Sequence, residues 1–582
     1  MNRHSMKLVV IFLLFYSLVN SQSNTEDKLQ SIDYKDIPQE KVYIHYNSSL
    51  LFTGEYLYYS LYCINAKLNL LSDLSKIAYV ELVGEDKKSI FQHKINLNKG
   101  VGQGDFFLPV TIPSGNYKLV GYTQWMNNGV KNNFFQGDIS VINPYQGNQK
   151  NILETSDKKE INSDSDLIQN DNTNVKLILN KKKFTKRSKV QLTIKDIRSN
   201  LGYGNYSISV KKKDTSFQEA SRYSAKTFFS LYESQQSGSP KKIVPPELRG
   251  ELISGKITPV DSGTLVSNKK VAISIPGENY ELKIAEADGD GVFYFNVDKA
   301  HIEQDALVQV LGDKEKFRIT LDDPKSPDYS DLVFNKFSLS SESKSSVLER
   351  SVYNQIRNGY FSVKPDTLAL NDDKSRFYGD IAQVFNLDDY TRFPTIRETL
   401  VEIVNNAWIK KIDEEQYVFQ VRGYESSSNY AFLPLVIIDG VIIQDHSTIV
   451  DYNANKIKSI KLIRDLYFLN SQMFQGVIDI ETIDGDYYKS FRSEGVYSLT
   501  LSKPLPIKKY YHEQYDEATK STTDHIPDYR HQLLWIPNLK FDAKEMVIDF
   551  FTSDNVGQYE ISLEGFTDKG KPVSIREILI VE

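Results

Sequence analysis

The chain has 582 residues, 40% of them apolar and 12% aromatic, enough for about four domains of ~150 residues with a core each. Its 70 basic and 76 acidic residues leave a net charge of -6, which excludes the basic field that gathers nucleic acid or an anionic membrane. Cys63 is the sole cysteine, so no intrachain disulfide forms; lying in the strand pattern Tyr58 to Ile64, it reads as a small buried apolar residue rather than a reactive thiol.

Arg3 and Lys7 precede an apolar core from Leu8 to Leu18, with Val19 and Ser21 before Gln22. Residues 1–21 therefore read as a secretory signal peptide cleaved after Ser21. No cysteine follows that core to carry a lipoprotein anchor, and no later apolar run reaches the ~18 residues of a membrane span. The expected mature protein is exported without a direct membrane span, to the periplasm, the outer membrane or the cell surface.

Residues 40–143 read as a β-sandwich. Lys41 to His45, Tyr56 to Ile64, Ile77 to Val83, Ile90 to Leu97, Gly104 to Leu108, Gly115 to Thr123 and Asn133 to Val141 have strand patterns at sandwich spacing. The stretches Gln39 to Asn65, Ala78 to Pro109 and Ile112 to Asn128 resemble the alpha-macroglobulin type of sandwich, which opens on a "Y.pGe.vy" pattern and closes on "lp.G.Y.lr.yt". Residues 144–173 turn to Asn, Ser, Asp, Lys and Gln and read as a flexible linker.

Val175 to Leu179, Lys189 to Ile194 and Tyr206 to Val210 begin a second, partial sandwich over 174–245, left through the polar stretch Ser234 to Pro240. The lysine runs Lys181 to Lys183 and Lys211 to Lys213 lie beside these strands and read as solvated edges that discourage pairing between molecules. Over 246–340, Ile253 to Ile257, Val271 to Ile275 and Ala287 to Phe295 resemble the carboxypeptidase regulatory-like, or transthyretin-like, sandwich. In carboxypeptidases that module is accessory, so the resemblance implies no peptidase activity. Asp288 and Asp290 fall short of a calcium loop in carboxylate count and read as turn residues.

Residues 341–373 form a connector with helical periodicity from Ser345 to Arg357, stopped at Asn358-Gly359. A second helix runs from Thr395 to Asn405, capped by Thr395 with Glu398 three residues on. It belongs to a small α+β unit over 374–490. There Pro434 to Gly440 is an apolar run entering an Asp-Gly turn, while Lys456 to Arg464 and Gly476 to Thr482 alternate as half-buried strands. Together these residues resemble the plug domain of TonB-dependent outer-membrane receptors. Such plugs sit in barrels of about 22 strands. About a hundred residues follow Thr482, too few for that barrel, so the resemblance implies a plug without its pore.

Residues 491–582 read as a C-terminal sandwich, with Tyr529 to Asn538, Glu545 to Thr552 and Gly557 to Leu563 among its strands. Gly115-Asn116-Tyr117, Gly204-Asn205-Tyr206 and Gly557-Gln558-Tyr559 each open a strand and hint at a repeated module. The expected fold class is mainly β: tandem sandwiches of macroglobulin or immunoglobulin-like and transthyretin-like type plus the plug-like unit. As an order of modules, the chain resembles exported Bacteroidota proteins.

Reaction chemistry is sparse. Thioester trapping of proteases needs a Cys and Gln pair, which is absent, as is the Gly-x-Ser-x-Gly elbow of serine hydrolases. His512 to Asp516 lacks the second histidine of a zinc protease helix, and His512, His525 and His531 show no repeating ligand spacing. Asp439 and Gly440 are explained as turn formers, and Trp125, Trp408 and Trp535, at strand ends or loop entries, as core residues before interface ones. No catalytic, cofactor-binding or metal residue is assigned, and no enzyme is expected.

The expected function is a non-enzymatic exported scaffold or accessory protein. Its partner is a protein, an outer-membrane barrel of TonB-receptor type or its accessories, docked by the plug-like unit or by strand addition. The alternative is a module that captures a glycan or peptide for uptake, which requires a concave aromatic patch on one domain. Last comes a macroglobulin-type protease inhibitor, with Asn143 to Asn174 as its cleavable loop.

Overall fold

The structure, a computed structural model, describes residues 38–582 except 130–132, 148, 150–151, 153–173, 218, 233–242, 278–279, 299–304, 362–363, 370–375, 425–431 and 516–524. The expected signal peptide, most of the linker and the polar exit over 234–240 lie outside the described residues. The fold is mainly β and built of tandem sandwiches.

In the first sandwich a three-stranded antiparallel sheet joins Glu40–Tyr46, Tyr56–Asn65 and Val101–Phe107. It packs on a six-stranded sheet ordered Leu50–Phe52, Phe135–Ile142, Gly115–Tyr122, Ile77–Gly84, Ser89–Asn96 and Pro504–Leu505. Tyr56–Asn65 alternates apolar residues with Tyr, Ser and Cys, yet its interior is buried on both faces. The reason is a second layer behind it: Tyr62 donates to Ser207 Oγ at 3.0 Å, Tyr43 to Glu564 Oε2 at 3.2 Å, and the His45 ring lies between Ser207 and Ser562. The buried hydroxyls of Tyr43 and Tyr62 and the His45 ring on that face thus have partners, as burial requires.

That second layer corrects the expected domain boundaries. Gly204–Lys212 lies between Gln532–Phe541 and Gly557–Thr567 in one five-stranded sheet, and Lys189–Asp196 pairs with Glu545–Phe551 in the three-stranded sheet opposite. The expected partial sandwich over 174–245 and the expected C-terminal sandwich over 491–582 are therefore one sandwich with one core. The Gly-Asn-Tyr and Gly-Gln-Tyr openings at 204 and 557 belong to adjacent strands of that sheet. The lysine run at 211 is corrected too: Lys211 is enclosed, with Nζ bonded to Ser48 Oγ, and burial lowers its pKa. A helix that the sequence did not announce, Ala225–Tyr232, lays Phe228 and Phe229 on the first sandwich.

The third sandwich has a sheet of Val292–Val297, Glu251–Pro259 and Phe317–Leu321, and a second of Glu281–Glu286, Lys270–Ile275, Asp305–Val310 and Val496–Thr500. Asp288 Oδ1 accepts the backbone N–H groups of Asp290 and Val292, closing a turn. The fourth unit holds a five-stranded sheet in which Ile457–Leu469 and Gln472–Thr482 form a long hairpin, with Leu435–Ile438 parallel to the latter. Asp439 and Gly440 turn that strand at φ 47° and 84° into Val441–Ile442. The helix Ile396–Glu402 begins in the expected capping box of Thr395 and Glu398.

The chain path is nested. After Lys212 it leaves the second sandwich, builds the third and fourth units, and returns. On the way back Val496–Thr500 completes the third sandwich, Pro504–Leu505 adds to the first, and Gln532–Phe541 onward completes the second. The helix Lys344–Gly359, expected as a connector, is instead docked on the first sandwich, where Arg350 binds Glu55.

Candidate binding site

The helix Lys344–Gly359 is pinned along one side. Arg350 and Asn354 donate to Glu55, and Asn358 Nδ2 donates to the Gly54 carbonyl at 2.9 Å. This fixes the helix end beside the start of Tyr56–Asn65 and places Phe361, two residues past Gly359, over the Tyr56 ring. Tyr56 and Tyr58 are two apart on a strand and so share a face.

The result is a column of four rings contributed by three parts of the chain. Phe361 stacks on Tyr56 at 5.8 Å, Tyr56 on Tyr58 at 5.5 Å, and Tyr58 on Trp535 at 6.0 Å, with interplanar angles of 18°, 13° and 24°. Such offset pairs add stabilisation beyond the area they bury. Tyr510 closes the column edge-on at 5.1 Å from Tyr58. Its hydroxyl and Lys508 Nζ both hold Asp105, the residue opposite Tyr58 in the neighbouring strand.

Between these rings, the helix end and Ile526 to Trp535 lies a cavity of about 70 Å³. Of its acidic groups, Glu513 pairs with Lys364 and Asp528 with Arg530, while Asp366 accepts only the Tyr511 N–H, on Oδ1, among the described residues. Trp535 Nε1 is buried with no hydrogen-bond partner, and among the described residues neither the Tyr58 hydroxyl nor the Arg357 guanidinium makes a hydrogen bond. Burial raises the Tyr58 pKa, so the phenol stays a neutral donor. Phe361, Tyr360 and Tyr511 keep 43%, 39% and 40% of their surface exposed, so the slot opens to solvent.

A second concavity, of about 1050 Å³, runs along the second sandwich under residues 211–227. Lys211, Lys212, Arg222 and Arg576 line it beside Glu219 and Glu560. Arg222 is committed internally, to Glu560 at 2.9 Å and to the carbonyls of Tyr46 and Asn47.

The residues weighed from sequence scatter. Cys63 is fully buried. His512 lies at the aromatic cavity and contacts the Trp535 carbonyl at 3.3 Å, His531 is buried beside Tyr353, and His525 is exposed. Among the described residues no three His, Cys, Asp or Glu side chains gather as a metal site. Trp125 is buried and donates to the Pro38 carbonyl at 2.7 Å, and Trp408 is half-buried in Ala407–Lys411. Trp535 lies inside a strand rather than at its end, and it lines the aromatic cavity. The signal in the sequence is Tyr56 and Tyr58, two apart in a strand pattern; that Phe107 pairs with them and residues 361, 510 and 535 converge on them is not local.

No family model matches the chain, and no curated protein does. Among solved structures it aligns with Salmonella alpha-2-macroglobulin reacted with methylamine, at 10% identity and a TM-score of 0.23, over 93% of this chain and 39% of that one. It also aligns with Escherichia coli alpha-2-macroglobulin activated by porcine elastase, at 8% identity and a TM-score of 0.23, over 93% of this chain and 44% of that one. The chain spans less than half the length of these proteins, and superpositions this loose assign neither family nor activity.

Proposed function

We propose that the protein is a non-enzymatic, exported scaffold that holds a protein partner at the outer membrane. The observation that supports this is the chain of buried joints tying its units together. Arg350 and Glu55 join the helix to the first sandwich, and Tyr43 and His45 join the first sandwich to the second. Tyr280 of the third unit donates to Asp479 of the fourth. Joints of this kind fix distances between surfaces, which is what a spacer needs. The resemblance of Pro434 to Thr482 to receptor plugs points to outer-membrane transport or assembly machinery as the partner. Crosslinking on intact cells followed by purification in mild detergent tests it: recovery of outer-membrane barrels supports the reading, and recovery of the protein alone removes it.

A second reading, capture of a peptide or glycan, is favoured by one observation. What supports it is the cluster of Tyr58, Tyr510 and Trp535 beside a small cavity, which lies at a junction of three chain segments rather than on one domain.

A further inference from the structure

We infer that the basic concavity along the second sandwich binds an extended acidic peptide segment, laid beside the edge of the strand Pro572–Val581. The inference rests on the reading of the protein as a partner-docking scaffold and names the surface used and the chemistry of what is docked there. Charge, span and the strand edge carry it.

The spare charge of the concavity is positive. Seven basic and three acidic side chains line it, in a chain whose net charge is -6. The three carboxylates are already paired with cations: Asp214 with Arg350 at 3.6 Å, Glu219 with Lys211 at 3.6 Å and Glu560 with Arg222 at 2.9 Å. Of the other cations, Lys212 donates to the neutral side chain of Asn555. Lys213 and Lys571 are exposed, and among the described residues their side chains make no hydrogen bond or ion pair. The ligand that complements such a surface is an anion.

The two open ammonium groups belong to opposite ends of the concavity. Lys213 lies at the level of Gln558, whose carbonyl accepts its N–H, and Lys571 enters the last strand where Pro572 pairs with Phe566. From Gln558 to Phe566 a strand rises about 27 Å. No single phosphate or carboxylate reaches both ends. An extended chain of about eight residues does, with acidic side chains along it.

A strand edge borders the same concavity. Pro572–Val581 pairs along its length with Gly557–Thr567 on one side, but on the other only Ile580 and Val581 are paired, with Lys183–Phe184. Ile580 turns its N–H outward to the Lys182 carbonyl, and by the alternation of an antiparallel strand Ser574 turns its own the same way. Ser574 lines the concavity. An edge of this kind takes up an added strand through main-chain hydrogen bonds, which selects a peptide over an anionic polysaccharide.

The test uses the full mature chain and an acetylated, amidated decapeptide of Glu-Thr repeats, read by titration calorimetry at about 50 mM salt. The controls are a Gln-Thr decapeptide, two Glu-Thr decapeptides N-methylated at every Glu or at every Thr, and a polygalacturonate decamer. Saturable binding of the Glu-Thr peptide is expected, with none of the Gln-Thr peptide or the polygalacturonate and with loss in at least one N-methylated form. Lys213→Glu combined with Lys571→Glu, both at exposed positions, should weaken it by about tenfold or more while leaving the thermal midpoint unchanged. The inference is overturned by no saturable binding up to about 1 mM peptide, by wild-type affinity in the double variant, by undiminished binding of both N-methylated forms, or by polygalacturonate binding as tightly as the peptide. Peptide failure with outer-membrane proteins still crosslinked overturns this inference alone, whereas peptide binding with nothing crosslinked removes the outer-membrane scaffold reading instead.

Discussion

Arg350 grips Glu55 through two hydrogen bonds, from Nε to Oε1 and from Nη2 to Oε2, each 2.8 Å long. Glu55 also accepts the Phe52 N–H at 3.0 Å and Asn354 Nδ2 at 3.0 Å, so both carboxylate oxygens are satisfied inside the protein. The pair sits at the turn before Tyr56–Asn65 and sets where the helix end, and hence Phe361, comes to rest.

Removing Arg350 leaves Glu55 as a buried carboxylate without its ion-pair partner. Arg350→Met should cost about 3–5 kcal/mol, and Glu55→Leu with Arg350→Met together less than either alone, measured by urea denaturation. Burial alone would raise the Glu55 pKa, but the Arg350 charge overrides it and holds the carboxyl at about 2 against an ordinary 4.5. A depressed carboxyl stabilises the fold above its unfolded value. That contribution is complete above about pH 4.5 and is lost as pH falls through about 2. In Glu55→Gln the corresponding acid slope should vanish.

Glu247 behaves in the opposite sense. It lies between the first and third sandwiches, accepts from Tyr79 at 3.1 Å and from the Leu252 N–H at 3.3 Å, and burial pushes its pKa up to about 8. The folded state then keeps a proton that the unfolded chain releases, so stability falls as pH rises from about 4.5 to about 8 and levels off above. The ceiling on that loss is about 5 kcal/mol. Glu247→Gln, which imitates the protonated group, should flatten the slope; urea midpoints at pH 5, 7 and 9 that still fall in the variant would refute the assignment.

What the sequence discloses follows from how local each signal is. The strands of the first sandwich are legible because period-two alternation and turns such as Thr53-Gly54 are local, and so is the capping box at Thr395 and Glu398. The nested return is not local. Val496–Thr500 reads as a strand, but alternation does not say which sheet receives it, and its partner is Asp305–Val310. His45, Ser60 and Tyr62 look like a solvent face until the second sandwich covers them. The aromatic slot was half legible. Tyr56 and Tyr58 mark a face, but Trp535 is separated from them by most of the chain, and only the return path brings it there.

The Asp439-Gly440 turn has a consequence for the joint between the third and fourth units. Gly440 has φ 84°, and a Cβ there would stand 2.5 Å from Cβ and 2.7 Å from Cγ of Tyr280, the residue that donates to Asp479. Gly440→Ala should therefore cost about 2–4 kcal/mol, strain and overpacking together. Gly485 has φ 65° but open space around it, so Gly485→Ala should show only the backbone part, about 1 kcal/mol. Equal losses for the two in urea denaturation would show that the contact with Tyr280 does not matter.

The single sandwich made from two ends of the chain predicts how a shortened protein fails. Ending the chain after Lys509 removes Gln532–Phe541, Glu545–Phe551, Gly557–Thr567 and Pro572–Val581, and with them most of the core that covers Val190, Leu192, Ile208 and Val210. Two independent sandwiches would leave the strands at 189–196 and 204–212 folded. In the nested arrangement the strand at 204–212 loses its neighbours on both sides and the strand at 189–196 keeps only Val175–Leu179, so the amide hydrogens of 204–212 should exchange at unfolded rates. Ile77–Gly84, whose partners Ser89–Asn96 and Gly115–Tyr122 are retained, should keep its protection. Hydrogen exchange read peptide by peptide separates the outcomes: protection surviving at 204–212 in the shortened chain would mean that this strand does not depend on the C-terminal segment.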